Sequence, residues 1–277
     1  MKRAIAGILT AVLALGTASC AKKSEKITTD ATGEFVCEVL DVGKADAMIL
    51  KSENHTVLID SGEKGDGKKV LEYLSENGIS SVDYFFITHF DRDHVGGAAK
   101  IINNIEIKNI ITPDYAGTND EYTSFIEAVQ DKGIEPVLLK ENMSFMLDDC
   151  LFNVYPPEKV SYEESDNDYS LAISVIHGEN SFLFAGDAEE ERLSEFFKQF
   201  DLAHDFLKVP HHGRYNDNTK KFLKSVNPEY AVITCSEKNP PEDKVLEILN
   251  HLKTNVYLSE NGNIEVISDG KNIQINQ

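Results

Sequence analysis

The chain reads as an α/β protein, with two mixed sheets packed together and helices outside. Three observations predict this. Short strand-like apolar runs recur from residue 35 to residue 267, helical spacing appears between them, and hairpin-like strand pairs occur in both halves. No internal repeat, low-complexity block or Pro/Gly/Ser-rich linker divides residues 34–277, so they are expected to form one domain.

In chain order the strand-like runs are Phe35–Val42, Ala47–Leu50, Thr56–Ile59, Tyr84–Thr88, Ile107–Thr112, Pro136–Leu139 and Leu151–Tyr155 in the first part. Leu171–Ile176, Phe182–Ala185, Phe206–Val209, Ala231–Thr234, Val256–Leu258 and Ile264–Ile267 follow. Each is rich in β-branched, aliphatic or aromatic residues. Val70, Leu71 and Leu74 mark a helix, with Gly78 as its C-terminal stop. Leu193, Phe196, Phe197 and Phe200 are spaced i, i+3, i+4, i+7, and Val245, Ile248, Leu249 and Leu252 repeat that spacing.

Composition narrows the function classes. Hydrophobic residues are 41% of the 277 and charged residues 27%, which excludes wholesale disorder and collagen. Lys+Arg number 27 against 47 Asp+Glu, a net charge of −20. A protein this acidic does not coat nucleic acid or anionic membrane by bulk attraction, so tight non-specific nucleic-acid binding is not expected. An anionic substrate needs a local device, and a metal is the obvious one. Four cysteines are too few for a disulfide scaffold. Cys37, Cys150 and Cys235 lie in or beside apolar runs and are expected to be buried small hydrophobes.

Residues 1–20 read as an export signal. Lys2 and Arg3 precede an apolar stretch from Ala4 to Leu15, too short to span a bilayer. Gly16, Thr17, Ala18 and Ser19 then lead to Cys20, which resembles the lipobox of bacterial lipoproteins, with Thr17 where Leu is usual. The resemblance implies cleavage before Cys20 and a lipid anchor there, on the outer face of a bacterial membrane. Ordinary secretion is the other reading. Removing Lys2 and Arg3 with the signal would take the net charge from −20 to −22. Residues 21–33 are polar and read as a flexible tether, leaving 34–277 as the domain.

The strongest chemical signal is Thr88-His89-Phe90-Asp91-Arg92-Asp93-His94-Val95-Gly96-Gly97. Four candidate ligands occur within six residues, directly after an apolar strand. Mixed nitrogen and oxygen donors suit Zn²⁺, Mn²⁺ or Fe. Gly96 and Gly97 allow the following helix to start close beneath the site.

This segment resembles the HxHxDH signature of the metallo-β-lactamase superfamily, in its HxDxDH form. That form is typical of the hydrolase domain of the competence DNA-uptake protein ComEC, and is similar to that of choline-binding phosphorylcholine esterases. Asp41-Val42-Gly43-Lys44-Ala45-Asp46-Ala47 looks like the family's DVGQGDA, and Leu58-Ile59-Asp60-Ser61-Gly62 like its LIDTG. Asn167-Asp168-Tyr169-Ser170-Leu171 looks like NxxSLV, Phe184-Ala185-Gly186-Asp187 like its TGD segment, and Leu207-Lys208-Val209-Pro210-His211-His212-Gly213 like LKVxHHG. The motifs keep the family order from residue 41 to residue 213.

The resemblance implies a four-layer αββα sandwich with two divalent metal ions, Zn or Mn, along one edge. It implies His89 and Asp91 on one metal, Asp93 and His94 on the other, Asp187 bridging, and one of His211 and His212 completing the second site. Comparison with the wider superfamily's PGHG motif points to the histidine next to glycine without deciding between the two. Asp187 also fits an N-terminal capping box with Glu190. Asp60 is either a strand-end turn former or a support for a histidine ligand. Asp41 and Asp46 are expected to shape their loop. Lys208 is either a solvated charge or, in the family reading, points at the site to neutralise an anion. Asp93, Lys208 and His212 are the expected catalytic residues.

The departures matter. Asp91 stands where the general signature has its second histidine, and no histidine occurs between His94 and His177. Harder oxygen donors strengthen the case for Mn²⁺. Asp168, Ser170 or water could fill the missing histidine's place. Arg214 follows the HHG, where serine is usual, and Ser236–Pro241 looks like a shortened SxGxxNxYGHP without its histidine. His55, His177, His204 and His251 lie outside every motif.

The expected function is a metal-dependent hydrolase, foremost a phosphodiesterase or nuclease acting on a small phosphodiester or DNA. A phosphorylcholine esterase, or a lactonase or β-lactamase-like enzyme, is the alternative on the same site. A surface-binding lipoprotein with a degenerate site is the alternative from another class.

Overall fold

The computed structural model describes residues 26–162 and 166–277. The expected export signal and Cys20 lie outside the described residues. β1 (Phe35–Val39), β2 (Met48–Lys51) and β3 (Thr56–Ile59) form an antiparallel meander. The chain then changes mode with α1 (Gly67–Glu76), β4 (Ser81–Phe86), α2 (Arg92–Val95), α3 (Ala98–Asn104), β5 (Glu106–Pro113), α4 (Asp120–Lys132) and β6 (Val137–Leu139). Strands β3 to β6 are parallel, which demands crossovers, and helices supply them.

The second half repeats the plan. β7 (Met143–Leu147), β8 (Cys150–Tyr155), β9 (Ala172–His177) and β10 (Asn180–Phe184) are antiparallel. After them come α5 (Glu190–Gln199), β11 (Phe206–Lys208), α6 (Thr219–Val226), β12 (Tyr230–Ile233), α7 (Asp243–Leu252) and β13 (Asn255–Leu258), and the strands from β10 to β13 are parallel. β14 (Ile264–Ser268) and β15 (Ile273–Asn276) return to the first sheet. The sheet orders are β15-β14-β1-β2-β3-β4-β5-β6 and β13-β12-β11-β10-β9-β8-β7.

Side chains alternate across each strand, so every central strand feeds two layers. Phe86, Phe182 and Phe184 fill the space between the sheets, with Val57, Phe152 and Val175. Phe85 faces outward onto Val70, Leu74, Ile101 and Phe125 of the first helical layer. Leu183 faces outward onto Leu193, Phe196, Phe222 and Leu249 of the second. Because both faces are covered, these strands read as unbroken apolar runs. The result is the four-layer αββα sandwich that the sequence implies. Truncating a buried ring such as Phe184 to alanine costs about 3–5 kcal/mol.

Some boundaries differ from expectation. The first strand ends at Val39 and not at Val42, because the chain turns there into the loop that carries Lys44 and Asp46. The structure adds strands β7 and β15 and helices α2, α4 and α6 to those expected, while α3 starts directly after Gly97, where a helix was expected. Helix α4 did carry a signal: the Asn119 side chain accepts from Tyr122 N, and Gly133 closes the helix at φ +65°. The capping box at Asp187 does not form. Asp168 Oδ1 caps α5 instead, accepting from Glu189 N at 2.9 Å and Arg192 N at 3.0 Å.

The parallel strands of both sheets end on one edge of the sandwich, here called the crown. The turns between antiparallel strands, with residues 53–55, 148–149 and 178–179, lie at the base. There the expected tether is docked over its second half. Thr29 N donates to Gly178 O at 3.0 Å, and Thr32 N and Gly33 N donate to Asp149 Oδ2 at 2.6 and 3.1 Å. Cys37, Cys150 and Cys235 are buried free thiols. Among the described residues, no helix is long and apolar enough to cross a membrane.

Candidate metal centre

Loops leaving the carboxyl ends of parallel strands converge at the crown, as is general for such sheets. Asp60 follows β3, His89 to His94 follow β4, Asp187 follows β10, and His211 and His212 follow β11. The backbone is locked there. Asp46 N donates to Asp93 O at 3.1 Å, and Ser61 N to His94 O at 2.8 Å. A Cβ on Gly97 would collide with the Ser61 carbonyl, which explains the glycine after the histidine-aspartate run. Asp60, His211 and His212 sit at φ +57°, +48° and +52°, a left-handed region that costs a non-glycine residue about 1–2 kcal/mol. Such strain persists only where the surroundings over-determine it.

Three imidazoles and a carboxylate meet in this crevice. His94 Nε2 is 3.2 Å from Asp187 Oδ2, and His212 Nε2 is 2.9 Å from the same oxygen. Asp93 Oδ2 lies 3.5 Å from His212 Nε2, and Asp91 Oδ2 lies 3.9 Å from His89 Nε2. Donor atoms of His89, His94 and Asp187 lie within 4.8 Å of one another, as do those of Asp93, His94 and His212. His89 Nε2, His94 Nε2, His212 Nε2 and Asp187 Oδ1 are buried and make no hydrogen bond. Orphaned buried polar atoms are costly, and here they are gathered at one point.

The hydrogen-bond inventory sets every tautomer for cation binding. His94 Nδ1 is 2.8 Å from Asp60 Oδ2, a pure acceptor, so the proton is on Nδ1. The Thr234 hydroxyl donates to Asp46 Oδ1 at 2.6 Å, so it accepts from His212 Nδ1 at 2.9 Å. The Thr88 hydroxyl donates to Asp60 Oδ2 at 2.7 Å, so it accepts from His89 Nδ1 at 3.1 Å. In the neutral rings all three Nε2 lone pairs therefore face the crevice. Lone pairs and carboxylates with no hydrogen to share fit a divalent cation.

The electrostatics separate the three imidazoles: His89 is held neutral, while the carboxylates around His94 and His212 favour a proton that a cation would have to displace. Burial pushes the His89 imidazole well below its ordinary value, with His94 adding to the effect, so it stays neutral. Burial alone would lower His94, but Asp187 and Asp60 override it and raise its proton affinity. Burial would raise Asp93, yet His212, His94 and Lys44 hold its carboxyl below the ordinary range.

The expected site residues fall into two groups. His89, Asp91, Asp93, His94, Asp187 and His212 are together, with Asp91 partly exposed at the rim. His211 is not with them: its Nδ1 turns to Glu189 Oε1 at 2.8 Å and its Nε2 lies 3.4 Å from Asn167 Nδ2. The kinked backbone at residues 211 and 212 sends the two rings in different directions. Lys208 is not the solvated charge of the first reading, and it points toward the donor cluster as the family reading has it, but from behind. It is neither solvated nor open to a substrate, because its buried ammonium pairs with Asp46 Oδ2 and stands 3.5 Å from Asp187 Oδ1. Asp60 is a support for His94 and Thr88, not only a turn former. Asp168 faces α5. Ser170 Oγ accepts from Asp187 N at 3.0 Å and lies 3.4 Å from His89 Nδ1.

Sequence reasoning underweighted Asp46 and missed Thr234. Asp46 is fully buried and links Lys208 and Thr234, which its place in the DVGKADA segment could have signalled. Thr234 carried no signal beyond ending a strand. The crevice opens on a cleft of about 580 Å³ lined by Lys44, Glu63, Asp91, Arg92, Asp93 and Asp166 among others.

Residues 40–236 match the family model described as Metallo-beta-lactamase superfamily. Among curated proteins, the chain is 28% identical to ComE operon protein 3 of Bacillus subtilis over 257 residues, covering 84% of this chain and 33% of that protein. It is 29% identical to Recombination protein 2 of Haemophilus influenzae over 230 residues, covering 79% of this chain and 27% of that protein. The chain thus spans a third or less of these relatives' length. Among solved structures, it resembles the metallo hydrolase Igni18 of Ignicoccus hospitalis, with a TM-score of 0.54, 14% identity, and coverage of 87% and 99% of the two chains. It also resembles the metallo-beta-lactamase fold protein YhfI of Bacillus subtilis, with a TM-score of 0.58, 10% identity, and coverage of 87% and 100%. At such identity these two likenesses concern the fold.

Proposed function

The chain belongs to the metallo-β-lactamase superfamily, whose members are metal-dependent hydrolases, and on that premise we propose that it is an exported phosphodiesterase or nuclease with a dinuclear centre. The observation that carries the reading is the convergence of His89, His94 and His212 Nε2 lone pairs with Asp187 beside an open cleft. The name Recombination protein 2 supports a phosphodiester substrate, since recombination acts on DNA.

In this reading Asp93, His94 and His212 would hold one cation and His89 and Asp91 the other, with Asp187 beside both donor groups. The abundance of carboxylate donors favours Mn²⁺ over Zn²⁺. A bound pair of such cations supplies an activated water and polarises the phosphoryl group. The chain's own residues do the rest. Asp60 fixes His94, and Thr234 with Asp46 fixes His212. Lys208 offsets the charge of Asp46 and Asp187 from behind. His211 stands outside the donor set, oriented by Glu189, and is the side chain that can protonate the leaving oxygen. Cys20 anchors the exported chain to the membrane.

The test is hydrolysis of bis-p-nitrophenyl phosphate with Mn²⁺, which Asp93→Ala should abolish. Parallel trials with single-stranded DNA, phosphocholine esters and lactones identify the bond attacked. Turnover of a lactone or a phosphocholine ester in place of both diesters would overturn the reading.

A further inference from the structure

An anionic substrate needs a cation it can touch, and Lys208 cannot be that cation. It is buried behind the donor cluster and engaged by Asp46 and Asp187. Two other cations stand on the cleft wall. Arg92 lies in the first turn of α2 and is exposed. Lys44 Nζ is 2.7 Å from Asp93 Oδ2, and its side chain is 39% exposed. The remaining charged residues lining this cleft, Glu63, Asp91, Asp93 and Asp166, are acidic.

The root of Lys44 is fixed while its head is not. A bridge joins Val42 and Lys44, Gly43 N donates to Asp41 Oδ1 at 3.2 Å, and Ser259 Oγ donates to Gly43 O at 3.4 Å. From that anchored turn, four methylenes carry an ammonium with three donors, of which Asp93 takes one. Two N–H groups remain for a ligand in the cleft. The position is glutamine in the DVGQGDA pattern that this segment resembles, so the charge is a feature of this chain.

We propose that Lys44, assisted by Arg92, forms an anion subsite that receives the non-bridging oxygens of a phosphodiester beside the metal donors. This rests on the phosphodiesterase reading for its substrate class. Lys44 is then a substrate-binding residue in the role that the sequence assigned to Lys208.

The experiment compares wild type, Lys44→Gln and Lys44→Arg after Mn²⁺ loading. It measures metal content, the affinity for inorganic phosphate by titration calorimetry, and KM and kcat on bis-p-nitrophenyl phosphate. Lys44→Gln should raise KM and weaken phosphate binding roughly tenfold, with kcat and metal content little changed, and Lys44→Arg should retain most of the affinity. Unchanged KM and phosphate affinity in Lys44→Gln would overturn the subsite, and so would loss of metal in parallel with loss of phosphate. Turnover of the diester unaffected by Lys44→Gln would leave the phosphodiesterase reading standing and remove the subsite. Lys44-dependent phosphate binding without diester turnover would do the reverse.

Discussion

Histidine and aspartate occur together at both ends of the sandwich, and the two ends use them in opposite ways. At the base, Asp148 takes hydrogen bonds from Ser52 Oγ, Asn54 N and Asn54 Nδ2 at 2.6, 2.8 and 3.0 Å, with His55 Nδ1 at 3.1 Å. Asp149 takes those of Thr32 and Gly33. His177 there has its Nδ1 2.8 Å from Ser268 Oγ, which already accepts from Asn180 Nδ2 and Gly270 N. The serine proton must go to Nδ1, so Nε2 carries hydrogen and faces Asp149 at 3.6 Å. At the crown the tautomers are reversed, and three Nε2 lone pairs face Asp187. The base closes most of its polar groups on one another and holds turns together, although His177 Nε2 makes no hydrogen bond and forms a smaller donor group with Asp149 and Cys150. The crown leaves its polar groups facing a common point, on a backbone strained at Asp60, His211 and His212. Satisfied groups make stability, and convergent unsatisfied ones make a site.

The contrast breaks first at the crown. Asp187→Ala removes the carboxylate shared by both donor groups, and turnover should fall on the order of 10³-fold or more, with metal lost on elemental analysis. His212→Ala should do the same. His211→Ala should leave p-nitrophenyl diester hydrolysis nearly unchanged, because that leaving group departs unaided, yet slow DNA cleavage roughly 10²-fold. Metal loss in His211→Ala and retention in His212→Ala would reverse the assignment of the pair.

The next effect is on stability. Lys208→Met strands the Asp46 carboxylate in the interior and should cost about 3–5 kcal/mol in denaturant unfolding, part of it recovered by adding Asp46→Asn. A variant that folds normally and only raises KM would mean that Lys208 reaches the substrate after all. Asp60→Asn is milder. It disturbs the orientation of His94 and should weaken Mn²⁺ binding roughly 10- to 100-fold by calorimetry, with little change in fold.

The smallest effect lies at the base. Burial by itself would raise the Asp148 carboxyl, but Ser52, Asn54 and His55 override it and hold the group below the ordinary carboxylate range. A depressed carboxyl stabilises the fold above its unfolded value of about 4, and that contribution is lost as pH falls through the folded value. Asp148→Asn should therefore cost about 1 kcal/mol at neutral pH, and the gap to wild type should narrow from about pH 4 downward. A gap that is constant with pH would show that Asp148 acts through shape alone.

Much of this was legible in the sequence, for stateable reasons. The mix of strands and helices follows from runs such as Tyr84–Thr88 and from the Leu193–Phe200 stripe, because periodicity is local, and the four-layer order was implied by the motif resemblance. The donor types were legible because His89 to His94 lie within one turn and its flanks. Helix α4 was also there to be found, between Asn119 and Gly133. Edge strand β15 was harder, since Ile273–Asn276 is short and half exposed.

What the chain alone determined, then, was the mix of strands and helices, the kinds of donor atoms and the strands that deliver them. Tertiary structure decided which member of the His211-His212 pair points inward, which nitrogen of each imidazole carries hydrogen, and that Lys44 faces the cleft while Lys208 is sealed away. The physical reason is range. A tautomer is set by its partner's partner, and here those chains run from His212 through Thr234 to Asp46, 188 residues from Thr234, and from His89 through Thr88 to Asp60, 28 residues from Thr88. No spacing rule along the chain carries that information.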